Sequence, residues 1–198
     1  MSAPLSELLA LCHLALAQTC APGDCVLDAT AGRGHDALFL ASLVGETGLV
    51  LAVDRQEEAL RATAALLCEH GLEGRVRLAP GDHAEMEALL SRDMPVGRDL
   101  AAVVFNLGFL PGSDKSVRTS AASTLAALKA VWPRLRRGGL LCVHVYTGHE
   151  GAEEEAAAVD AWMSALDWKK ARVTACRQSN KPSRRETLYL ARKIESIS

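Results

Sequence analysis

From residue 25 to residue 193 the chain alternates short runs rich in Val, Leu and Ala with longer runs of helical periodicity. This alternation constrains the fold more than any single motif. Strands are predicted at 25–30, 48–54, 76–79, 100–106, 140–146, 171–177 and 186–193, with helices at 36–44, 56–70, 83–91, 120–135 and 153–166 between them. Strand, helix, strand repeated along a chain builds a parallel sheet covered by helices on both faces. The last two strands are joined by "QSNKPSRR" (178–185), which leaves no room for a crossover helix, so they are expected to form an antiparallel hairpin at one edge. An amphipathic helix at 6–19, stopped by Pro22-Gly23, precedes the first strand and is expected to cap the sheet within a segment 1–22. The expected fold is α/β, doubly wound, with a mostly parallel seven-stranded sheet. At 198 residues the chain suits one domain, 1–198, and is short for two.

In an open sheet of this kind ligands bind beyond the carboxyl ends of the strands, where the strand order reverses. The first strand ends at Asp28 and runs into Gly32-Arg33-Gly34, after which a helix opens with His35-Asp36. Glycines there allow a tight turn and close approach to a ligand, and the helix start offers N–H donors. Asp54 ends the second strand, 22 residues beyond Gly32, where a carboxylate can accept both hydroxyls of a ribose; it also fits as the cap of the next helix. Gln56 follows it. Ala37 occupies the third-glycine position of a dinucleotide fingerprint, a residue the looser form allows, so spacing alone does not decide the cofactor. Charge does: Asp28 and Asp36 flank the loop and would repel a pyrophosphate, but suit a ligand with an ammonium and a sulfonium. S-adenosylmethionine fits best. After the third strand, Asp82 is placed to accept from an adenine amino group or to cap a helix, with His83 beside it.

The fourth strand runs into "NLGFLPGSDKS" (106–116) at the same edge. Asn106 offers an amide carbonyl to accept from a target amine and align its lone pair with a methyl carbon, while Phe109 can pack on a flat base. Asp114 could take a proton or hold the amine. Lys115 could contact a phosphate or pair with Asp114, and each also reads as a solvated turn residue. Tyr146 ends the fifth strand, and His149, three residues on, can act as base or acceptor near neutral pH. His35 reads as a structural hydrogen-bonder, His70 as decoration of a helix C-terminus and His13 as helix surface.

The 22 Lys and Arg against 24 Asp and Glu give a net charge of −2, which excludes a protein that holds nucleic acid by overall charge. An RNA partner would be gripped locally; Arg184 and Arg185 could supply that grip or form a solvated hairpin tip. The six cysteines include no Cys-x-x-Cys pair and mostly lie in apolar runs, so buried thiols, no metal site and a reducing, cytoplasmic compartment are expected. The first twenty residues lack a basic start and are interrupted by Glu7, His13 and Gln18, so neither a signal peptide nor a membrane span is expected.

The segments "DATAGRGHDALFLASLVGETG", "VDRQEEAL", "FNLGFLPGSDKS", "STLAAL", "GGLLCVHVYTGHEG" and "EEEAAAV" occur in order between residues 28 and 159. Together they resemble the small Rossmann-like rRNA methylase family, over about residues 24 to 193. The resemblance implies a class I methyltransferase fold, S-adenosylmethionine as cofactor, and methylation of the aminomethyl group of 5-aminomethyl-2-thiouridine at the tRNA wobble position. It implies cofactor contact from Gly32 through Arg33 and Gly34 to Asp36, at Asp54 and Gln56, and near Asp82 and His83. The acceptor side would run from Asn106 to Lys115 and from Tyr146 to His149. The expected partner is a tRNA anticodon stem-loop, with no membrane; assembly as a homodimer stays open. Two positions depart from the family's pattern: Arg33 stands where Asn is usual, and residues 180–185 read Asn-Lys-Pro-Ser-Arg-Arg in place of Asn-x-Pro-Pro. Two other readings compete, a methyltransferase for a small amine and a cofactor-binding module without activity of its own.

Overall fold

The computed structural model describes residues 6–108, 119–148, 151–180 and 186–194. Its centre is one seven-stranded sheet. In chain order the strands are β1 (Cys25–Asp28), β2 (Leu49–Asp54), β3 (Val76–Pro80), β4 (Leu100–Leu107), β5 (Leu135–Tyr146), β6 (Ala171–Cys176) and β7 (Glu186–Lys193). They lie in the order β3-β2-β1-β4-β5-β7-β6. The first five are parallel, and β7 pairs antiparallel with both β5 and β6. The order reverses between β1 and β4, so the crevice expected of a doubly wound sheet opens over the ends of those two strands.

The helices are α1 (Glu7–Ala17), α2 (His35–Val44), α3 (Glu57–Glu69), α4 (Met86–Asp93), α5 (Ala121–Arg134) and α6 (Ala152–Ser164). Side chains alternate across a strand, and the central strands here are buried on both sides, which is why they read as unbroken apolar runs. On one face Val26, Ala102, Val104, Leu140 and Cys142 pack with Leu8, Cys12 and Leu16 of α1, Leu40, Ala41 and Val44 of α2, and Leu67 of α3. On the other, Leu27, Val103, Phe105, Leu141 and Val143 pack with Leu89 and Leu90 of α4, Leu128 and Val131 of α5, and Val159 and Met163 of α6.

Two elements differ from expectation. β5 starts at Leu135, not 140, because Leu135 already pairs with Leu100 before an irregularity in register carries the chain past Arg136-Arg137-Gly138-Gly139. The helix expected at 83–91 is split into a 3-10 turn, His83–Glu85, and α4, with the Asp82 carboxylate accepting from the Ala84 N–H at 3.1 Å. The 3-10 turn keeps His83 under the sheet edge.

Candidate active site

A cavity of about 660 Å³ opens at the carboxyl ends of β1, β2, β4 and β5. That is the size range of small-ligand and cofactor sites. Its walls are the turn from Thr30 to Arg33, the segments Asp54–Gln56 and Gly81–His83, the end of β4 from Asn106 to Gly108, and Tyr146 to Gly148.

The glycine turn is built as one unit with Asp54. Gly32 and Gly34 have φ of 54° and 84°, the left-handed region that glycine enters without penalty. Asp54 accepts the Gly32 N–H through Oδ2 and the Gln56 N–H through Oδ1, both at 2.9 Å. Two backbone bonds hold that carboxylate still at the wall of the cavity, with further lone pairs left to accept. Asp82 caps the 3-10 turn, one of its two sequence readings, and also meets the Arg55 guanidinium at 3.4 Å. His83 is buried, donates to the Ala29 carbonyl at 2.8 Å and lies edge-on to Phe105. Burial lowers its pKa, which keeps the ring neutral.

Asp28 lies fully buried at the end of β1. Its Oδ1 accepts the Thr30 N–H at 3.1 Å, and the Ala37 N–H in the first turn of α2 also faces the carboxyl group. Desolvation first, then the nearby Asp36 charge, push its pKa well above the usual carboxylate range. A carboxyl with a raised folded-state pKa contributes most below its unfolded value, and that contribution is lost as pH rises toward the folded value. The cofactor-free protein is therefore expected to lose stability from about pH 4 upward through Asp28, and Asp28→Asn to remove that loss. Melting temperatures of both proteins across this range check it; parallel pH profiles would contradict it.

Asp36, in the first turn of α2, joins two distant parts of the chain. Its Oδ1 accepts from His13 Nε2 at 2.7 Å, and its Oδ2 accepts from Asn106 Nδ2 at 2.6 Å. A carboxylate only accepts, so the Asn106 amide is turned with its NH₂ to Asp36 and its oxygen left as the available acceptor. The Asn106 backbone N–H donates to Thr30 Oγ1 at 2.8 Å, which ties the end of β4 to the glycine turn. His13 is not helix surface: its ring stacks on Phe39 at 3.9 Å, and its side chain is 14% exposed.

Where β4 leaves the sheet, the Thr119 N–H donates to the Gly108 carbonyl at 3.2 Å and the Gly108 N–H to Thr119 Oγ1 at 3.1 Å. The Thr119 hydroxyl donates onward to Glu155, which also accepts from the Thr124 hydroxyl at 2.6 Å. Glu155 is buried, so it serves as the anchor of this neck. In the sequence it is one acid of a Glu-Glu-Glu run and carries no signal. Tyr146 borders the cavity with its hydroxyl 3.0 Å from His144 Nδ1, and burial raises its pKa. Arg33 and His35 are exposed at the rim. Phe109, Asp114, Lys115, His149, Arg184 and Arg185 lie outside the described residues.

The strand order and the cavity at its reversal are those of a Rossmann-like, class I methyltransferase fold. The family model described as "Putative rRNA methylase" matches residues 50–192, and the chain belongs to that family. It is 38% identical over 167 residues to a "tRNA (mnm(5)s(2)U34)-methyltransferase, chloroplastic" of Arabidopsis thaliana; the match covers 79% of this chain and 60% of that relative's length. A "putative rRNA-methylase" from Clostridium thermocellum superposes with a TM-score of 0.88 at 33% identity, covering 97% of this chain and all of the other. A "putative methyltransferase" from Streptococcus mutans in complex with SAH gives 0.83 at 30% identity, covering 96% and 100%.

Proposed function

We propose that the chain is an S-adenosylmethionine-dependent N-methyltransferase whose acceptor is the aminomethyl group of a modified wobble uridine in a tRNA anticodon stem-loop. The observation that carries the reading is the Asn106 amide, held by Asp36 at the edge of the cavity with its oxygen available, next to a glycine turn flanked by Asp36 and Asp54. The Asp36 and Asp54 carboxylates on the cavity wall suit a cofactor with an ammonium and a sulfonium, and they disfavour a pyrophosphate. The names of the tRNA-modifying relative and of the SAH-bound neighbour support the same chemistry.

Bound S-adenosylmethionine supplies an electrophilic methyl group, so the protein needs to align an unprotonated amine and form no covalent intermediate of its own. In this reading Asp54 accepts the ribose hydroxyls, Gln56 and the Gly32–Asp36 turn border the nucleoside and methionine ends, and Asp82 accepts from the adenine amino group with His83 bracing that wall. Asn106 accepts from the target amine. Tyr146 borders the acceptor, and by sequence Phe109, Asp114, Lys115 and His149 belong to the same side, with Arg184 and Arg185 as a local phosphate grip. Among the described residues no helix is long and apolar enough to cross a membrane, and we place the enzyme in the cytoplasm, where its six free cysteines stay reduced.

Calorimetry tests the cofactor assignment. Asp54→Ala is expected to weaken S-adenosylmethionine binding by about 1.5–3 kcal/mol, the range for charged hydrogen bonds. Unchanged affinity in a folded variant, or wild-type binding of NAD in preference to S-adenosylmethionine, would overturn it.

A further inference from the structure

The geometry points to His13 as a positioning residue of the acceptor site, acting through Asp36 to fix the side-chain amide of Asn106. This rests on the role given to Asn106 above. The three side chains form one unbroken line. His13 Nε2 reaches Asp36 Oδ1 at 2.7 Å, and Asn106 Nδ2 reaches Asp36 Oδ2 at 2.6 Å, so one carboxylate bridges donors from α1 and β4.

Each link removes a freedom the next one has. The end torsions of Asn and Asp side chains are broad, so an isolated Asn106 amide would not hold its oxygen in one direction. Asp36 fixes it only if its own carboxylate is fixed. A carboxylate held through a single oxygen can still swing, and His13 holds the other. The His13 ring is itself set by Phe39, which lies parallel to it within 4°. Phe39 stands three residues after Asp36 on α2, so a single helix face presents both the carboxylate and the platform that aims its donor. Only 14% of the His13 side chain and 9% of that of Asp36 are exposed, so water competes little for these bonds.

The chain has two asparagines, Asn106 and Asn180, so the side-chain amide signals of Asn106 can be assigned by their loss in Asn106→Ala. In ¹⁵N-labelled protein without cofactor, these protons are expected downfield of those of Asn180 and slower to exchange. His13→Ala should move them toward the Asn180 position. His13→Gln, whose terminal amide can reach the same oxygen, should keep them near the wild-type position. In turnover, His13→Ala is expected to lower kcat about tenfold with KM and cofactor affinity within a few-fold, His13→Gln to recover most of it, and the His13→Ala/Asn106→Ala pair to be no slower than Asn106→Ala alone. Unmoved Asn106 signals in His13→Ala, equal loss in the Gln and Ala variants, or additive losses in the pair would overturn the assignment. The spectra need neither cofactor nor RNA. If they respond as expected while the wild type transfers no methyl group to tRNA, the positioning role stands and the acceptor reading fails.

Discussion

Asn106→Ala is expected to cut turnover about a hundredfold while leaving S-adenosylmethionine affinity within a few-fold. The Asn106 side chain touches Asp36 and borders the cavity, but its backbone N–H alone makes the bond to Thr30 that ties β4 to the glycine turn. Truncating the side chain therefore spares the turn. What is lost is the amide oxygen that orients the amine, and misalignment of a reacting pair by about 1 Å costs on the order of a hundredfold in rate. An interaction made chiefly in the transition state lowers kcat and kcat/KM together. Single-turnover rates paired with calorimetry separate this from a collapsed pocket, in which cofactor affinity would fall as well. Raising the pH should not rescue the variant, because deprotonating the amine replaces a base and cannot replace alignment.

Gly34→Ala is expected to destabilise the protein by about 3 kcal/mol or more. Gly34 caps α2 with φ +84°, and a residue other than glycine held there costs roughly 1–3 kcal/mol. A Cβ at this position would also stand 2.8 Å from Thr63 Cα and 2.9 Å from Thr63 Cγ2, where α3 crosses the turn. Overpacking of that kind adds roughly 1–3 kcal/mol. Because one of the two clashing atoms is backbone, Thr63→Ser should relieve only part of the loss. Urea unfolding of the single and double variants measures it. Full rescue by Thr63→Ser would mean that the helices can separate freely, and a loss under 1 kcal/mol would mean that the turn can change its conformation.

The sheet was legible because its central strands are apolar on both faces and its helices are not; each kind of burial leaves its own period in the sequence. The start of β5 was hidden because Arg136-Arg137-Gly138-Gly139 reads as a turn, although Leu135 before it is already paired. Half of the candidate site was equally visible. Gly32, Gly34, Asp54, Asp82 and Asn106 lie at strand ends, where position alone suggests a role. The other half depends on contacts between residues far apart in the chain. His13 lies on a helix that looks like a simple cap, and only the crossing of α1 over α2 brings its ring to Asp36. Glu155 of α6 joins Thr119 and Thr124, which lie more than thirty residues earlier in the chain. Asp36 reads from the sequence as a flanking charge for a cofactor, and the structure adds that its two oxygens accept from His13 and Asn106. A sequence shows which residues can carry charge or donate; it does not show which partner has already claimed them.

Nucleoside mass spectrometry of tRNA from a strain deleted for this chain, complemented with the wild type or with Asn106→Ala, tests the central claim most directly. The deletion strain should accumulate the wobble 5-aminomethyl uridine, the wild type should convert it to a nucleoside heavier by one methyl group, and Asn106→Ala should leave most of it unconverted. Unaltered wobble uridine in the deletion strain, or full conversion by Asn106→Ala, would contradict the assignment of this cavity to aminomethyl transfer.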